Sequence, residues 1–268
     1  MSIMHRYPVT TFFIFAFGIS WGGILLILTT VGFRAVLVTL PVQEVMFLAM
    51  VAGPSISGLL SVAVNSPSGG FHELWSRMIK WRVDMRWYVI GLLSVPILLL
   101  AILWTLSFAI SPNFAPRFLW QGSIVAVLAG ALEEIGWSGF ATPRLLALHH
   151  WFPAGLILGA IWALWHLLVA IFASGITVAW SNWLLWFGIF WFLALTAYRI
   201  FMTWVYAQTQ IILIAQLMHS AYTGAIIVMN PQVSFEQGLL WQGTFVAGLW
   251  MIVTIVAYIS SRQIEVRR

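Results

Sequence analysis

Apolar residues fill this chain in long blocks separated by short polar joints. A hydrocarbon core about 30 Å thick is crossed by roughly 20 apolar helical residues. On that measure the pattern predicts eight spans: 10–31, 44–65, 87–110, 120–146, 153–173, 182–204, 209–230 and 238–260. The division between the sixth and seventh rests on a mildly polar joint, TWVYAQTQ. Residues 70–86, GFHELWSRMIKWRVDMR, break the pattern. Phe71, Leu74, Trp75 and Met78 fall at i, i+3, i+4 and i+7, with Arg77 and Lys80 among them. That period predicts an amphipathic helix lying in the cytoplasmic interface. The preceding NSPSGG reads as a flexible linker. Pro54 and Pro96 fall inside spans and predict kinks.

Composition narrows the class. The chain is 62% hydrophobic and 7% charged, with mean hydropathy +0.99. Soluble domains carry about 25% charged residues, so this chain cannot cover a water-facing surface. The expected fold is all-α, a polytopic membrane protein of about eight transmembrane helices forming one domain over residues 1–268. The N-terminal stretch has no small-residue cleavage site after its apolar run and reads as the approach to the first span. There are no cysteines, which excludes thiolate chemistry and disulfides.

The net charge of +5 is explained by sidedness rather than by nucleic acid, for which no aromatic-plus-basic module is present. With the N-terminus inside, Arg6, Arg77, Lys80, Arg82, Arg86, Arg144, Arg199, Arg262, Arg267 and Arg268 share one face, and Arg34 and Arg117 the other. Ten of twelve basic residues on one side satisfies the positive-inside rule. Both termini are therefore expected in the cytoplasm, in a multi-pass protein of the cell membrane.

Few ionisable groups fall deep in the spans. LAGALEEIGWSGFATPRLL, residues 128–146, carries Glu133 and Glu134 side by side. The fifth span carries His166 and the seventh His219. At ~1.5 Å per residue these lie about 15 to 20 Å from the cytoplasmic ends of their helices. A charge at that depth costs at least ~2.5 kcal/mol unless paired or hydrated. Convergence in one wet pocket is the economical arrangement. Adjacent helical residues point about 100° apart, so the two carboxylates should have different tasks. Ser138, one turn after Glu134, is a candidate hydrogen-bond partner for it. The residues themselves leave four chemistries open: water activation by a carboxylate, metal-assisted hydrolysis, proton or ion relay in a carrier, and a retired site in a scaffold.

EEIGWSGFATPRL, then WALWH, then HSAYT, resemble the intramembrane proteases related to the CAAX prenyl endopeptidases, a family that includes bacteriocin-processing and immunity proteins. The family pattern is EExxxR on one helix, FxxxH on the next, then a later His followed by Asn or Asp four residues on. The resemblance covers about residues 128–230, the expected catalytic-core helices. It implies a conical intramembrane polar cavity, Glu133 as the glutamate that activates water, Glu134 as its motif partner, and His166 and His219 as groups that bind water or stabilise an oxyanion. It also implies that water arrives from the cytoplasmic side. Ser138 stands where the family has Arg, Trp162 where it has Phe, and Thr223 where it has Asn or Asp. The Ser138 change removes a cation partner for a glutamate. Thr223 keeps only a hydroxyl donor.

The activity so implied is hydrolysis of a peptide bond in a membrane-embedded or lipid-anchored substrate, with the lipid bilayer as the other partner. The metal-free form needs no cofactor. A zinc form would use His166, His219 and Glu133 as ligands. The alternatives are a non-catalytic scaffold or bacteriocin-immunity protein of the same family, and a proton-coupled transporter. The last predicts deep polar groups in both halves of the chain, whereas these cluster in the second half.

Overall fold

The computed structural model describes residues 3–32, 40–66, 68–173 and 179–266. Arg34, Pro67 of the linker, Arg267 and Arg268 lie outside these residues. The described residues contain helices and no strand. After a single turn, Ile3–Arg6, come α1 (Pro8–Val31), α2 (Leu40–Asn65), α3 (Gly70–Ile79), α4 (Met85–Ala109) and α5 (Gly122–Leu146). Then follow α6 (Trp151–Trp165), α7 (Leu167–Ala173), α8 (Ser181–Thr209), α9 (Ile212–Val228) and α10 (Phe235–Val266). Among the described residues, six helices are long and apolar enough to cross a membrane, and α6 and α9 are shorter apolar helices. These eight correspond to the predicted spans. The chain is a multi-pass all-α membrane protein.

The predicted fifth span is divided. α6 stops at Trp165, His166 takes φ −75° and ψ −3°, and α7 resumes at Leu167. The helix at 70–86 is also shorter than its periodicity suggests. It ends at Ile79, and Met85 and Arg86 already belong to α4. The boundary has a local cause: Asp84 accepts the Arg86 backbone N–H at 3.0 Å and caps α4. The apolar stripe of α3 is split in two. Leu74 is buried and Met78 packs against the core, whereas Phe71, Trp75 and Ile79 are exposed.

Proline breaks are answered by neighbours. Pro54 has no N–H for the carbonyl of Met50 four residues earlier, and Ser20 of α1 donates to that oxygen at 2.6 Å. Pro143 likewise releases the carbonyl of Gly139, which accepts from Arg77 of α3 at 3.1 Å. Arg77 also donates to the hydroxyl of Tyr206 at 2.7 Å, so it pins α3 to α5 and α8 at once. Around Gly139 α5 carries a π-helical turn, Trp137–Ala141, a feature common at functional sites.

Without water between them, membrane helices associate by close packing, which favours small residues at contacts. A side-chain carbon on Gly58 would lie 2.7 Å from Gly136 Cα, so α2 and α5 touch backbone to backbone. Gly155 and Gly159 of α6 lie against Ile200 and Thr196 of α8 in the same way. Gly130 of α5 faces Ser220 and the Gln216 carbonyl of α9, while Gln216 donates to the Ala131 carbonyl at 2.8 Å. These contacts fix α5 between α2 and α9, and α8 on α6.

A leucine at Gly136 would be driven into the Pro54 carbonyl and Phe12. Gly136→Leu should lower stability by about 1–3 kcal/mol or more, as overpacking does, read as unfolding in detergent micelles. Gly243→Ala, where nothing lies within 4 Å, should be neutral or stabilising by up to about 1 kcal/mol.

Candidate active site

Glu133 and Glu134 leave α5 in different directions, and their surroundings differ accordingly. Glu134 is fully buried and receives donors on both oxygens. Arg199 of α8 grips it with two bonds of 2.9 Å, one to each oxygen. His219 of α9 places Nδ1 2.7 Å from Oε1. Ser138 donates to Oε2. Four hydrogen bonds from three partners on three helices leave this carboxylate no free direction. Such a bidentate guanidinium–carboxylate pair is the strongest geometry available to the two groups.

Glu133 has no cation in direct hydrogen-bond contact. Its Oε2 accepts indole N–H groups from Trp162 at 3.0 Å and from Trp137 at 3.3 Å. Its Oε1 lies 3.9 Å from Nε2 of His219. Glu133 lines a cavity of about 880 Å³ together with Trp162, His166, His219, Tyr222 and Thr223. The remaining walls are mainly apolar, from α1, α2, α5, α7, α8 and α9.

Trp162 organises the site. Its N–H holds Glu133, its face lies 4.1 Å from the Arg199 guanidinium carbon, and both imidazoles meet it near edge-on. A phenylalanine at this position would supply the ring and the cation–π face but no donor. Gly159, three residues earlier, permits the close approach of α6 to α8 that brings Arg199 onto the ring.

The histidines are fixed by their acceptors. A carbonyl oxygen only accepts, so the 2.8 Å contact between His166 Nδ1 and the Trp162 carbonyl puts the proton on Nδ1. The carboxylate of Glu134 does the same for Nδ1 of His219. In the neutral His166 ring Nε2 is then the lone-pair nitrogen. His166 also lies 5.3 Å from Trp191 across a tilted ring contact.

The sequence expectations meet this geometry as follows. Glu133, Glu134 and His219 are in direct contact, and Ser138 bonds Glu134 as its spacing suggests. His166 lines the same cavity, and both imidazoles contact the Trp162 ring. Arg199 corrects the charge tally: it is 1% exposed at Glu134 rather than at the cytoplasmic face. The positive-inside count read it as a surface charge because it falls near the end of a predicted span. The signal that could have found it was the serine at 138. A glutamate that loses its motif arginine needs a cation from elsewhere.

The cavity lining runs from Glu133 to Gln43, Val125 and Ile227 in the end turns of α2, α5 and α9. For the zinc form, no group of three His, Asp or Glu side chains among the described residues is placed to hold a metal. Both Nδ1 atoms are engaged, by the Trp162 carbonyl and by Glu134.

Comparison with known proteins fits these residues. Residues 113–225 match the model of the type II CAAX prenyl endopeptidase Rce1-like family. A curated relative, CAAX prenyl protease 2 of Methanococcus maripaludis, is 30% identical over 125 residues, which cover 44% of this chain and 46% of the relative. The chain thus matches about half the length of that relative. The family match includes Glu133, Glu134, His166, Arg199, His219 and Thr223.

Removing one member of a buried ion pair strands the other and costs about 3–5 kcal/mol. Arg199→Met should destabilise the protein by that order. Glu134→Gln added to Arg199→Met should recover part of the loss, measured as a double-mutant cycle of unfolding in detergent.

Proposed function

Taking this chain to carry the core of a Rce1-like CAAX prenyl endopeptidase over residues 113–225, we propose that it is an intramembrane endopeptidase. It hydrolyses a peptide bond of a membrane-embedded or lipid-anchored substrate with water activated by Glu133. The supporting observation is the division between the carboxylates. Glu134 is saturated by Arg199, His219 and Ser138, whereas Glu133 faces the cavity with only indole donors and His219 nearby.

In the proposed reaction a water molecule lies between Glu133 and the scissile carbonyl. Glu133 takes one proton as the oxygen attacks the carbonyl carbon. His166 Nε2 accepts the water's other hydrogen and orients the oxygen. His219, protonated on both nitrogens and supported by Glu134, donates from Nε2 to the developing oxyanion. The carbon–nitrogen bond then breaks as Glu133 returns its proton to the departing amine. The products are a carboxylic acid and an amine, which become carboxylate and ammonium as the acid's proton passes to the amine, and no metal takes part in these steps.

Glu134 and Arg199 are positioning residues in this scheme. Arg199 takes the place left by the arginine that Ser138 replaces, and Glu134 holds His219 in register. Thr223, one turn after His219, presents a hydroxyl toward the substrate path. The catalytic core is residues 128–230 within a single transmembrane domain. The protein resides in the cell membrane with both termini in the cytoplasm.

Glu133→Gln should lower kcat/KM at least about 10²-fold, the usual worth of a general base, while the protein stays folded. Purified protein assayed on a library of prenylated and leader-type peptides is the measurement. Undiminished cleavage by Glu133→Gln would refute the assignment. Trp162→Phe should keep the fold and lose about ten-fold, since it removes one donor to the base worth roughly 1.5 kcal/mol.

A further inference from the structure

Away from the glutamates, two guanidinium groups meet near the end of α5. Arg77 of α3 donates from Nη2 to the Gly139 carbonyl at 3.1 Å. Arg144, in the last turn of α5, donates from Nη1 to the next carbonyl, that of Phe140, at 3.2 Å. Consecutive carbonyls of one chain thus bring two like charges near each other. Both residues are only partly exposed, so water and salt screen their repulsion weakly. The pair is held on packed elements. Leu74 of α3 is buried on Gly139, the Tyr206 hydroxyl of α8 accepts from Arg77 at 2.7 Å, and the Arg144 guanidinium carbon lies 3.6 Å from the centroid of the Phe140 ring.

Little neutralises these charges. Among the described residues the one carboxylate in ion-pair range of either is Glu73, whose Oε1 lies 3.6 Å from Arg77 Nε and whose side chain is 70% exposed. Such an exposed carboxylate contributes little. Arg77 Nε is itself buried without a hydrogen-bond partner. Each guanidinium carries five N–H groups in a planar fork, and the two carbonyls and the hydroxyl use few of them. Neutral amides could cap the same carbonyls without the repulsion.

Two adjacent forks with donors to spare match the oxygens of a phosphate. Their position selects its source. Arg144 ends a helix long and apolar enough to cross a membrane, and headgroups begin where such a helix ends. At the same end Trp75, Ile79 and Leu148 are exposed, as side chains at the headgroup level are. Lys80 and Arg82 are exposed there too, with no carboxylate partner among the described residues, and basic residues at a membrane surface attract anionic lipid.

We propose that Arg77 and Arg144 form a binding site for the phosphate of an anionic phospholipid headgroup. The phosphate accepts from both forks and offsets their repulsion. The site is separate from the cavity, whose lining includes neither arginine. Gly139 and Phe140 belong to the π-helical turn that also carries Trp137, a donor to Glu133, so the bound lipid braces the turn behind the glutamates.

The purified full chain in neutral detergent is titrated with phosphatidylglycerol, phosphatidylcholine or inorganic phosphate. Retained lipid is counted by native mass spectrometry, and thermal unfolding is followed in parallel. Phosphatidylglycerol should be retained about ten-fold more strongly than phosphatidylcholine, the worth of an added charge-assisted contact, and should raise the unfolding temperature as a ligand of the native state does. Arg144→Gln should weaken its retention about ten-fold or more, since hydrogen bonds between charged groups are lost. Arg82→Gln removes the same charge from the same end and should leave retention within about two-fold, because an exposed charge is screened.

Equal losses in the two variants would mean general attraction to a basic surface and overturn the site, as would equal retention of the two lipids. Inorganic phosphate that displaces the lipid and raises the unfolding temperature as far would make the ligand a soluble anion and overturn the lipid assignment. Should Arg144→Gln not fold, Arg144→Lys decides, because it keeps the charge without the fork. Retention should then fall several-fold, and unchanged retention overturns the proposal.

Discussion

A buried arginine clamped on a buried carboxylate is the constraint from which the rest of this site follows. Arg199 and Glu134 are both withdrawn from water and lipid, a state that is expensive for each and tolerable only as a pair with every partner in place. The pair therefore fixes α8 against α5. His219, bonded to the same carboxylate, fixes α9 there too. With Glu134 held from three sides, Glu133 is turned toward Trp162, Trp137 and the cavity. Two identical neighbours in sequence are made unequal by one cation.

The bundle that carries this pair is asymmetric along its axis. On the basic side, glycines bring helices to backbone contact and a layer of aromatic rings fills what remains. On the other side, bulky apolar residues line the cavity that Glu133 faces. Tight packing on one side and space on the other give a carboxylate that is anchored by rigid elements and faces the cavity. Such anchoring is what a general base needs, because its reach to a reacting proton is set within a few tenths of an ångström.

Much of this was legible in the residues. Long apolar blocks gave the helices, and depth matching brought Glu133, Glu134 and His219 together. The spacing of Ser138 from Glu134 anticipated their hydrogen bond. What stayed hidden depended on three-dimensional compensation. Arg199 looked like a surface charge because a positive-inside count sees sequence position and not the neighbour on another helix. The Trp162 indole looked like a mild exchange for Phe, because ring size is visible in a sequence and the target of an N–H is not. The break at His166 has no Pro or Gly to announce it. Arg77 looked like an interfacial charge, although the carbonyl freed by Pro143 was a place for it to go.

The central claim is that the paired glutamates are physically unequal, one locked by Arg199 and one facing the cavity. Footprinting with a water-soluble carbodiimide, mapped by mass spectrometry of the segment containing residues 128–146, tests it most directly. The account predicts modification at Glu133 and none at Glu134 in the folded protein. Equal modification of the two, or modification of Glu134 alone, would contradict it.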